Sequence, residues 1–301
     1  MFPLPPPSTS QAYCIVSALE AGHIELMDEL FMTPSAPGAL TVAPSLSFLV
    51  RHSEIKDTLV FDLGIRRDWY NQPPRTVAWI KSPGHAVHVP VDVADSLAKG
   101  GLSPVDITRV VLSHCHHDHV GDPRPFTDSE FLVGAQSKVL FDPGYPADPE
   151  SRYSSDLLPA DRTTYLEPEE WPPLGPFPHA LDLYGDGSLY IVNAPGHAPG
   201  HINLLARTSP DGGWIYLAGD SAHNWRLING EAEVSVGHPG WLSGQGHGCA
   251  HYNKEQADEH VARLRTLGNI PRVRIIIAHD EPWFAKHKGG DMFFPGTIPT
   301  L

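Results

Sequence analysis

The segment SHCHHDHVGD, residues 113 to 122, places four histidines and two aspartates directly after the apolar run RVVL. Imidazole nitrogens and carboxylate oxygens are ligands for divalent metals, and the same groups carry protons in catalysis. The segment is therefore either one side of a metal site or a solvated polar turn. The choice depends on whether other parts of the chain supply the missing ligands.

The alternation of side chains along a strand lets this segment offer ligands to two metals. Successive side chains of a strand point to opposite faces, so His114 and His116 face the same way, while Cys115 points away and packs. Once the chain has turned, Asp118 and His119 can face a second point nearby. One compact loop can therefore supply ligands to two metal ions.

Three further segments each end a strand-like apolar run in a residue that can bind metal: IVNAPGH, IYLAGD and RIIIAHD. Small or turn-forming residues precede the ligand and let the backbone approach a site closely. The candidate ligands are His114, His116 and His197 for one metal, Asp118, His119 and His279 for the other, and Asp220 as a bridge between them. These nitrogen and oxygen ligands suit two Zn²⁺ ions, and ligand type alone leaves Fe²⁺ or Mn²⁺ open.

The elements that must position these residues fall into two groups of strands. Apolar runs predict strands at 45–52, 58–64, 106–114 and 130–134, and again at 189–195, 201–208, 214–220 and 273–280. Helical spacing with a closing glycine predicts helices at 91–101 and 253–268. Both strand groups carry candidate ligands, so we predict one domain over residues 1–301. We also predict a loose Pro- and Ser-rich arm at 1–12 and an irregular, acidic excursion over one face at 141–178.

Composition narrows the class of protein. The 301 residues are 41% hydrophobic, and 35 acidic against 21 basic residues give a formal net charge of -14. This balance argues against a nucleic-acid groove and against docking on an anionic membrane. The cysteines show no disulfide framework, and neither a signal peptide nor a membrane span is evident. We expect a cytoplasmic protein that acts on a small molecule, with its oligomeric state open.

The motifs HCHHDH, PGHAPGH, GD and AHD resemble, in this order, the metallo-β-lactamase superfamily, and the resemblance covers residues 40 to 285. It implies an α/β fold, a four-layer αββα sandwich with the metals at the strand ends between two sheets. It also implies that Asp62 orients a ligand histidine and that His201 lies beside the site. A turn aspartate and an ordinary strand histidine are the alternatives for these two residues.

Within this superfamily the chain is most similar to the N-acyl-homoserine-lactone lactonases. Zinc β-lactamases lack a bridging aspartate at the position of Asp220, and glyoxalase-type members need a helical domain after His279 that we expect to be absent. Lactonases commonly place a tyrosine three residues after the bridging aspartate, where this chain has His223 in GDSAH. We predict that neutral His223 donates a hydrogen bond to the substrate carbonyl or oxyanion. The alternative is a histidine without a chemical role.

The ligand set and the resemblance together predict a dinuclear metal hydrolase that cleaves a lactone or a related carboxylic ester. Two metals can hold a hydroxide for attack on the carbonyl, and Asp118 and Asp220 can accept hydrogen bonds from that nucleophile. The alternatives are a thioesterase or phosphotriesterase on the same site, and a non-hydrolytic iron dioxygenase. Four aromatic residues could line the substrate pocket, although core packing explains them equally well: Trp69, Tyr70, Trp225 and Trp241.

Overall fold

The computed structural model describes residues 3–238 and 248–301. The strands within them are β1 (Cys14–Met27), β2 (Met32–Thr33), β3 (Leu40–His52), β4 (Thr58–Phe61), β5 (Val87–His88), β6 (Arg109–Val111), β7 (Glu130–Gly134), β8 (Thr163–Leu166), β9 (Ala180–Asp182), β10 (Leu189–Asn193), β11 (Ile202–Arg207), β12 (Trp214–Leu217), β13 (Glu233–Val234) and β14 (Val273–Ile276). The α-helices are α1 (Asp28–Phe31), α2 (Pro74–Ile80), α3 (Val93–Ala98), α4 (Trp225–Asn229), α5 (Lys254–Gly268) and α6 (Glu281–His287).

Two large sheets carry the fold. The first has the strand order β5-β1-β3-β4-β6-β7-β8 and the second has the order β14-β12-β11-β10-β9, while β13 and β2 form a separate ribbon. The strands β4, β6, β7 and β8 run parallel, as do β12 and β14. Parallel strands end at the same edge of a sheet. The segments that follow β4 and β6, and those that follow β12 and β14, therefore start at one edge of each sheet.

Alternation along the strands builds the layers. Phe61 of β4 and Leu204 of β11 belong to one buried cluster between the two sheets. Their chain neighbours Val60 and Leu205 point to the opposite faces, as the period of two in a strand requires. Helices cover these outer faces of the two large sheets.

Helix α3 covers the outer face of the first sheet with Leu97, and α5 covers the second with residues that include Leu264. Helix α5 begins at the N-cap Asn253, whose side chain accepts a hydrogen bond from Gln256 N. The order helix, sheet, sheet, helix confirms the predicted four-layer αββα sandwich.

The predicted strands and helices all coincide with observed elements, but the longest strand was not predicted. β1 has the sequence CIVSALEAGHIELM, in which polar residues and Gly22 interrupt the alternation that predicts a strand. The register of β1 against β3 shifts between Glu20 and His23, and Gly22 has a φ of +96° there. A bulge of this kind breaks the period of two and hides the strand from pattern analysis.

The two segments expected to lack regular structure make specific contacts. Residues 3–12 of the arm contain no helix or strand, but Pro5 O accepts a hydrogen bond of 2.8 Å from buried Arg207, and Gln11 Nε2 donates to Asp186 O at 2.8 Å. The 141–178 excursion contains β8, which pairs with β7 at the end of the first sheet. Tertiary hydrogen bonds thus connect the described part of the arm to the rest of the fold, which composition alone does not indicate. None of the helices in 3–238 and 248–301 is long and apolar enough to cross a bilayer.

Candidate metal centre

The candidate ligands lie at the adjoining edges of the two sheets. The HCHHDH segment follows β6 in the first sheet, while Asp220 follows β12 and His279 follows β14 in the second. The loop between β10 and β11 contributes His197. All seven candidate ligands are buried except His116, which is partly buried. The fold therefore brings together side chains from four separate segments, as the sequence predicts.

The first group surrounds one carboxylate oxygen of Asp220. His197 Nε2 lies 3.0 Å from His116 Nδ1 and 3.3 Å from Asp220 Oδ2. His114 Nε2 lies 3.9 Å from the same oxygen. These four residues offer ligand atoms that all lie within 4.8 Å of one another.

The second group faces the other oxygen of Asp220. His119 Nε2 lies 3.2 Å and His279 Nε2 lies 3.4 Å from Asp220 Oδ1. Asp118 Oδ2 is 3.5 Å from His279 Nε2. The two oxygens of Asp220 thus point to different groups, which is the geometry of a bridging carboxylate.

The spacing of these atoms fits metal ions. Ligand atoms held about 2.0–2.1 Å from a tetrahedral zinc ion lie roughly 3.3 Å apart. Within the described residues, His114 Nε2, His119 Nε2 and Asp220 Oδ1 are buried without a hydrogen-bond partner. Buried polar atoms are rarely left without a partner. Their convergence is explained if cations occupy both positions.

The histidines of the first group are in the form that binds metal. Burial is the main cause that lowers the pKa of His116 to about 4, and it also lowers the pKa values of His114 and His197 well below the usual range. Neighbouring histidines lower the values of His114 and His197 further. At neutral pH these imidazoles are uncharged, and an uncharged imidazole has a free lone pair for a metal.

In the second group, the carboxylates favour positive charge on the histidines that lie beside them. Burial opposes a positive charge on His279, but the carboxylates of Asp220 and Asp118 outweigh it and raise the pKa to about 10. The pKa of His119 is likewise raised against burial by Asp220, Asp62 and Asp118. This excess of carboxylate is the electrostatic environment that a divalent cation requires.

Several contacts behind the ligands hold them in orientation. Asp62 Oδ2 accepts a hydrogen bond of 2.8 Å from His119 Nδ1, which is the role that the resemblance implies for it. Asp62 is further fixed by the backbone N–H of Ser113 at 2.6 Å and its hydroxyl at 2.7 Å. His279 Nδ1 lies 2.8 Å from Pro44 O. Such contacts fix the ring so that the other nitrogen faces the metal.

His201 supports Asp220 rather than joining the ligands. Its Nδ1 lies 2.9 Å from Ala194 O, and its Nε2 accepts a hydrogen bond of 3.2 Å from Asp220 N. Gly219, between β12 and Asp220, has a φ of +47°, and a Cβ there would lie 2.9 Å from His201 Nε2. The glycine is therefore required for the close approach of these two segments.

His223 lies inside the centre, as its position in the sequence predicts. Its Nε2 is 3.2 Å from Asp220 Oδ2, and its ring packs 4.8 Å from the ring of Phe31. Its hydrogen bond to a substrate stays a prediction.

His251 also lies beside the centre, although no spacing in the sequence indicates this. Its Nδ1 lies 3.3 Å from Nδ1 of His197, and with His197 and His223 it forms a third group of ligand atoms within 4.8 Å. It is 54 positions from His197 along the chain, and no local spacing connects the two. Only the fold shows that His251 lies behind a candidate metal ligand.

A cavity of about 730 Å³ opens on the centre and is lined by residues that include Asp118, Asp220 and His223. Of the four aromatic residues considered for this role, Trp69 and Tyr70 do not line the cavity, and Trp225 packs against the core and donates a hydrogen bond of 2.7 Å to Asp280. Trp241 lies outside the described residues. Among the described residues, the Phe, Trp and Tyr side chains that line the cavity are Phe31, Trp79, Tyr145, Tyr153 and Tyr252. The 141–178 excursion thus forms part of the cavity wall.

Comparison with curated proteins finds several relatives. The chain is 33% identical to the cytochrome monooxygenase mpaDE of Penicillium roqueforti, in an alignment that covers 97% of this chain and 36% of the relative. It is 39% identical to the gamma-lactamase MBL2 of Gibberella moniliformis, over 55% of this chain and 71% of the relative. The chain spans between 36% and 49% of the length of the first curated relatives that it matches.

Among solved structures, an N-acyl homoserine lactone hydrolase with N-hexanoyl-L-homoserine bound at its catalytic metal centre superposes with a TM-score of 0.71. The two share 18% sequence identity, and the match covers 94% of this chain and 98% of the other. The model of the metallo-β-lactamase superfamily matches residues 40–279. The chain therefore belongs to the metallo-β-lactamase superfamily.

Proposed function

We propose that the chain hydrolyses a lactone or a related carboxylic ester at two zinc ions held by the seven residues described above. The observation that carries this proposal is Asp220, whose two oxygens face two separate groups of ligand atoms. A carboxylate between two metals matches the requirement of two-metal hydrolysis, in which attacking and leaving oxygens are both stabilised. Both groups contribute residues to the wall of one cavity.

Two bound zinc ions would supply an activated water at neutral pH and would polarise the substrate carbonyl. The residues of the chain complete the chemistry. Asp118 and Asp220 line the cavity as carboxylates that accept hydrogen bonds from the attacking water. His223 lines the same cavity and donates a hydrogen bond to the carbonyl oxygen, which gains negative charge during the reaction.

The names of the relatives support a cyclic acyl substrate. One structural neighbour acts on an N-acyl homoserine lactone, and the gamma-lactamase MBL2 is named for a cyclic amide. A lactam is therefore the second candidate, since both reactions open a ring by attack on the carbonyl. The cavity volume of about 730 Å³ lies within the range of about 300–1,000 Å³ that is typical of small-molecule sites.

Turnover by the purified zinc-loaded protein tests this proposal. The substrates are γ- and δ-lactones, γ-lactams, thioesters and phosphotriesters, and His197→Ala serves as the control for metal dependence. We expect ring opening of lactones, together with close to two zinc ions per chain. Cleavage of thioesters or phosphotriesters without any lactone turnover would contradict the proposal. One iron per chain in the protein as purified, before zinc is added, together with consumption of oxygen, would support the dioxygenase instead.

A further inference from the structure

Four arginines line the cavity: Arg66, Arg124, Arg152 and Arg162. Arg66 forms two hydrogen bonds with Asp68, at 2.7 Å and 2.8 Å. Arg124 is paired with Asp122 and Asp68. These two guanidinium groups are neutralised by carboxylates of the chain itself.

The third arginine, Arg162, is held by the protein backbone. Its Nη1 donates hydrogen bonds to Phe126 O at 2.8 Å and to Ser129 O at 2.7 Å. The guanidinium group is thus committed to a structural role in the cavity wall. Its Nε also lies 3.9 Å from Asp161 Oδ1, so Arg162 has a carboxylate within 4.0 Å.

Arg152 differs from the other three. Within residues 3–238 and 248–301, no carboxylate lies within 4.0 Å of its guanidinium group and no hydrogen bond from that group is found. The group is partly buried and lies over the indole of Trp79, with Cζ 4.4 Å from the ring centroid. A guanidinium stays charged under all ordinary conditions. Among the described residues, Arg152 is therefore the arginine of the cavity that has no carboxylate within 4.0 Å.

The backbone around Arg152 is fixed from both sides. Its carbonyl oxygen accepts a hydrogen bond from the Thr76 hydroxyl on α2, and the carbonyl oxygen of the next residue, Tyr153, accepts one of 2.7 Å from Tyr145 N. Trp79, which the guanidinium covers, is also on α2. Stacking on an aromatic face fixes the plane of the guanidinium fork, which reduces the entropy lost when the fork binds a ligand.

The position of Arg152 relates it to the metal centre. Arg152 lines the same cavity as the candidate ligands Asp118 and Asp220. Asp156 also lines the cavity, but it is exposed to solvent and its carboxylate accepts from the Ser154 hydroxyl. Water screens the charge of an exposed carboxylate more than that of a partly buried guanidinium.

We propose that Arg152, stacked on Trp79, binds a carboxylate carried by the substrate, so that the enzyme acts on an anionic lactone or lactam. This inference rests on the proposed function and adds the substrate class to it. The planar fork of arginine matches the two oxygens of a carboxylate. The metals hold the ring carbonyl while Arg152 holds the acid group, and the two contacts together fix the orientation of the substrate in the cavity.

A matched pair of substrates tests this inference. One is a γ-lactone whose side chain ends in a carboxylate, and the other is the same lactone with a primary amide in its place. We expect kcat/KM of the zinc-loaded protein to be roughly 10- to 100-fold higher for the acid, the scale of a charge-assisted hydrogen bond. Arg152→Gln should raise KM for the acid until the two lactones have similar kcat/KM. The value of kcat/KM for the amide should change by less than about 3-fold.

Two further variants serve as controls. Arg75 is exposed, does not line the cavity, and lies 3.3 Å from Glu150, so Arg75→Gln removes an equal charge nearby and should leave the preference for the acid intact. Arg152→Lys keeps the charge without the fork and should retain part of the preference. An equal loss on both lactones in Arg152→Gln, or no loss on either, would overturn the inference.

Binding measurements separate this inference from the proposed function. If neither lactone is opened, the proposed function fails, and calorimetry of benzoate and benzamide with the zinc-loaded protein then decides the inference. We expect benzoate to bind more tightly than benzamide and Arg152→Gln to weaken benzoate alone. Equal benzoate affinity in the wild-type protein and in Arg152→Gln would refute a carboxylate subsite at Arg152.

Discussion

At the scale of single residues, the two histidines of PGHAPGH have different surroundings and therefore different expected roles. His197 Nε2 faces His116 and Asp220, whereas both nitrogens of His201 contact backbone groups. His197→Ala should lose metal and turnover together, because a candidate ligand is removed. His201→Ala should keep most of the metal. Both variants are checked by measuring metal content per chain and turnover. Loss of metal in His201→Ala but not in His197→Ala would make His201 the ligand.

His223 is expected to act on the substrate and not on the metal. It lines the cavity and contacts Asp220 Oδ2. His114, His116 and His197 already form a group of ligand atoms with Asp220. His223→Ala should keep both metals and lose roughly 10- to 1000-fold in kcat, the scale of one oxyanion donor. His223→Gln, which restores a donor, should recover part of the loss. Unchanged turnover would leave His223 without a chemical role, and loss of metal would make it a ligand.

The aspartates at the two ends of β4 provide a matched pair. Asp62 follows the strand and accepts from His119 Nδ1, whereas Asp57 precedes it and is paired with Arg109. Asp62→Asn removes the charge that orients a candidate ligand and should weaken metal binding roughly 10- to 100-fold. Asp57→Asn should lower stability and leave metal affinity unchanged. Equilibrium dialysis against zinc compares them, and equal zinc affinities in the two variants would contradict this role for Asp62.

At the scale of elements, the strands that deliver ligands were predictable because each one is a short apolar run that ends in a ligand. The HCHHDH segment shows the same property within a single loop, so the seven candidate ligands could be proposed from local sequence, whereas the four-layer fold was implied by the resemblance. The role of Asp62 followed from the resemblance, since a strand-end aspartate has no distinctive local pattern.

Other features depend on contacts between distant segments and left no local signal. β1 is interrupted by polar residues because its bulge changes which side chains face the core. His251 meets His197 only after the loop before α5 has folded back. The aromatic residues of the cavity come from four separate parts of the chain, so tryptophan and tyrosine could not be assigned to the pocket by type alone.

The junction between the PGH turn and α5 is expected to be intolerant of a side chain. Gly196 has a φ of +131°, and a Cβ there would lie 2.3 Å from Ala257 N in the first turn of α5. Asn253 N also donates to Gly196 O at 2.8 Å. Gly196→Ala should therefore lower the thermal midpoint and the zinc content, because the adjacent His197 is displaced with the turn.

Gly185→Ala is the matched control for this substitution. Gly185 also has a positive φ, +74°, but a Cβ there meets nothing within 4 Å. It should show only the backbone strain of a non-glycine residue, about 1–3 kcal/mol in the free energy of unfolding, with the zinc content of the wild-type protein. Equal effects of the two substitutions on zinc content would show that the contact with α5 does not hold His197.

At the scale of the whole molecule, the metal centre lies where the two sheets meet. The HCHHDH segment follows the first sheet, and His197, Asp220 and His279 belong to the second. Backbone hydrogen bonds already cross this edge, from Ile202 N to Ser113 O at 2.8 Å and from Leu46 N to Ala278 O at 3.0 Å. Bound metal would add bonds between the same segments and would fix the separation of the sheets.

Removal of the metal should therefore lower the stability of the fold and not only abolish turnover. A ligand that binds only the folded state stabilises it by about 3–4 kcal/mol when its free concentration is 100 to 1,000 times its Kd. We expect a chelator to lower the urea midpoint of the wild-type protein and added zinc to restore it, with a much smaller change in His197→Ala. Hydrogen exchange should increase at the strand ends beside His119, Asp220 and His279. The turn at 208–213, which connects β11 and β12 away from the centre, should exchange as before, because no candidate ligand lies in it. A uniform increase across both sheets would instead mean that the metal stabilises the fold as a whole, without a specific link at this edge.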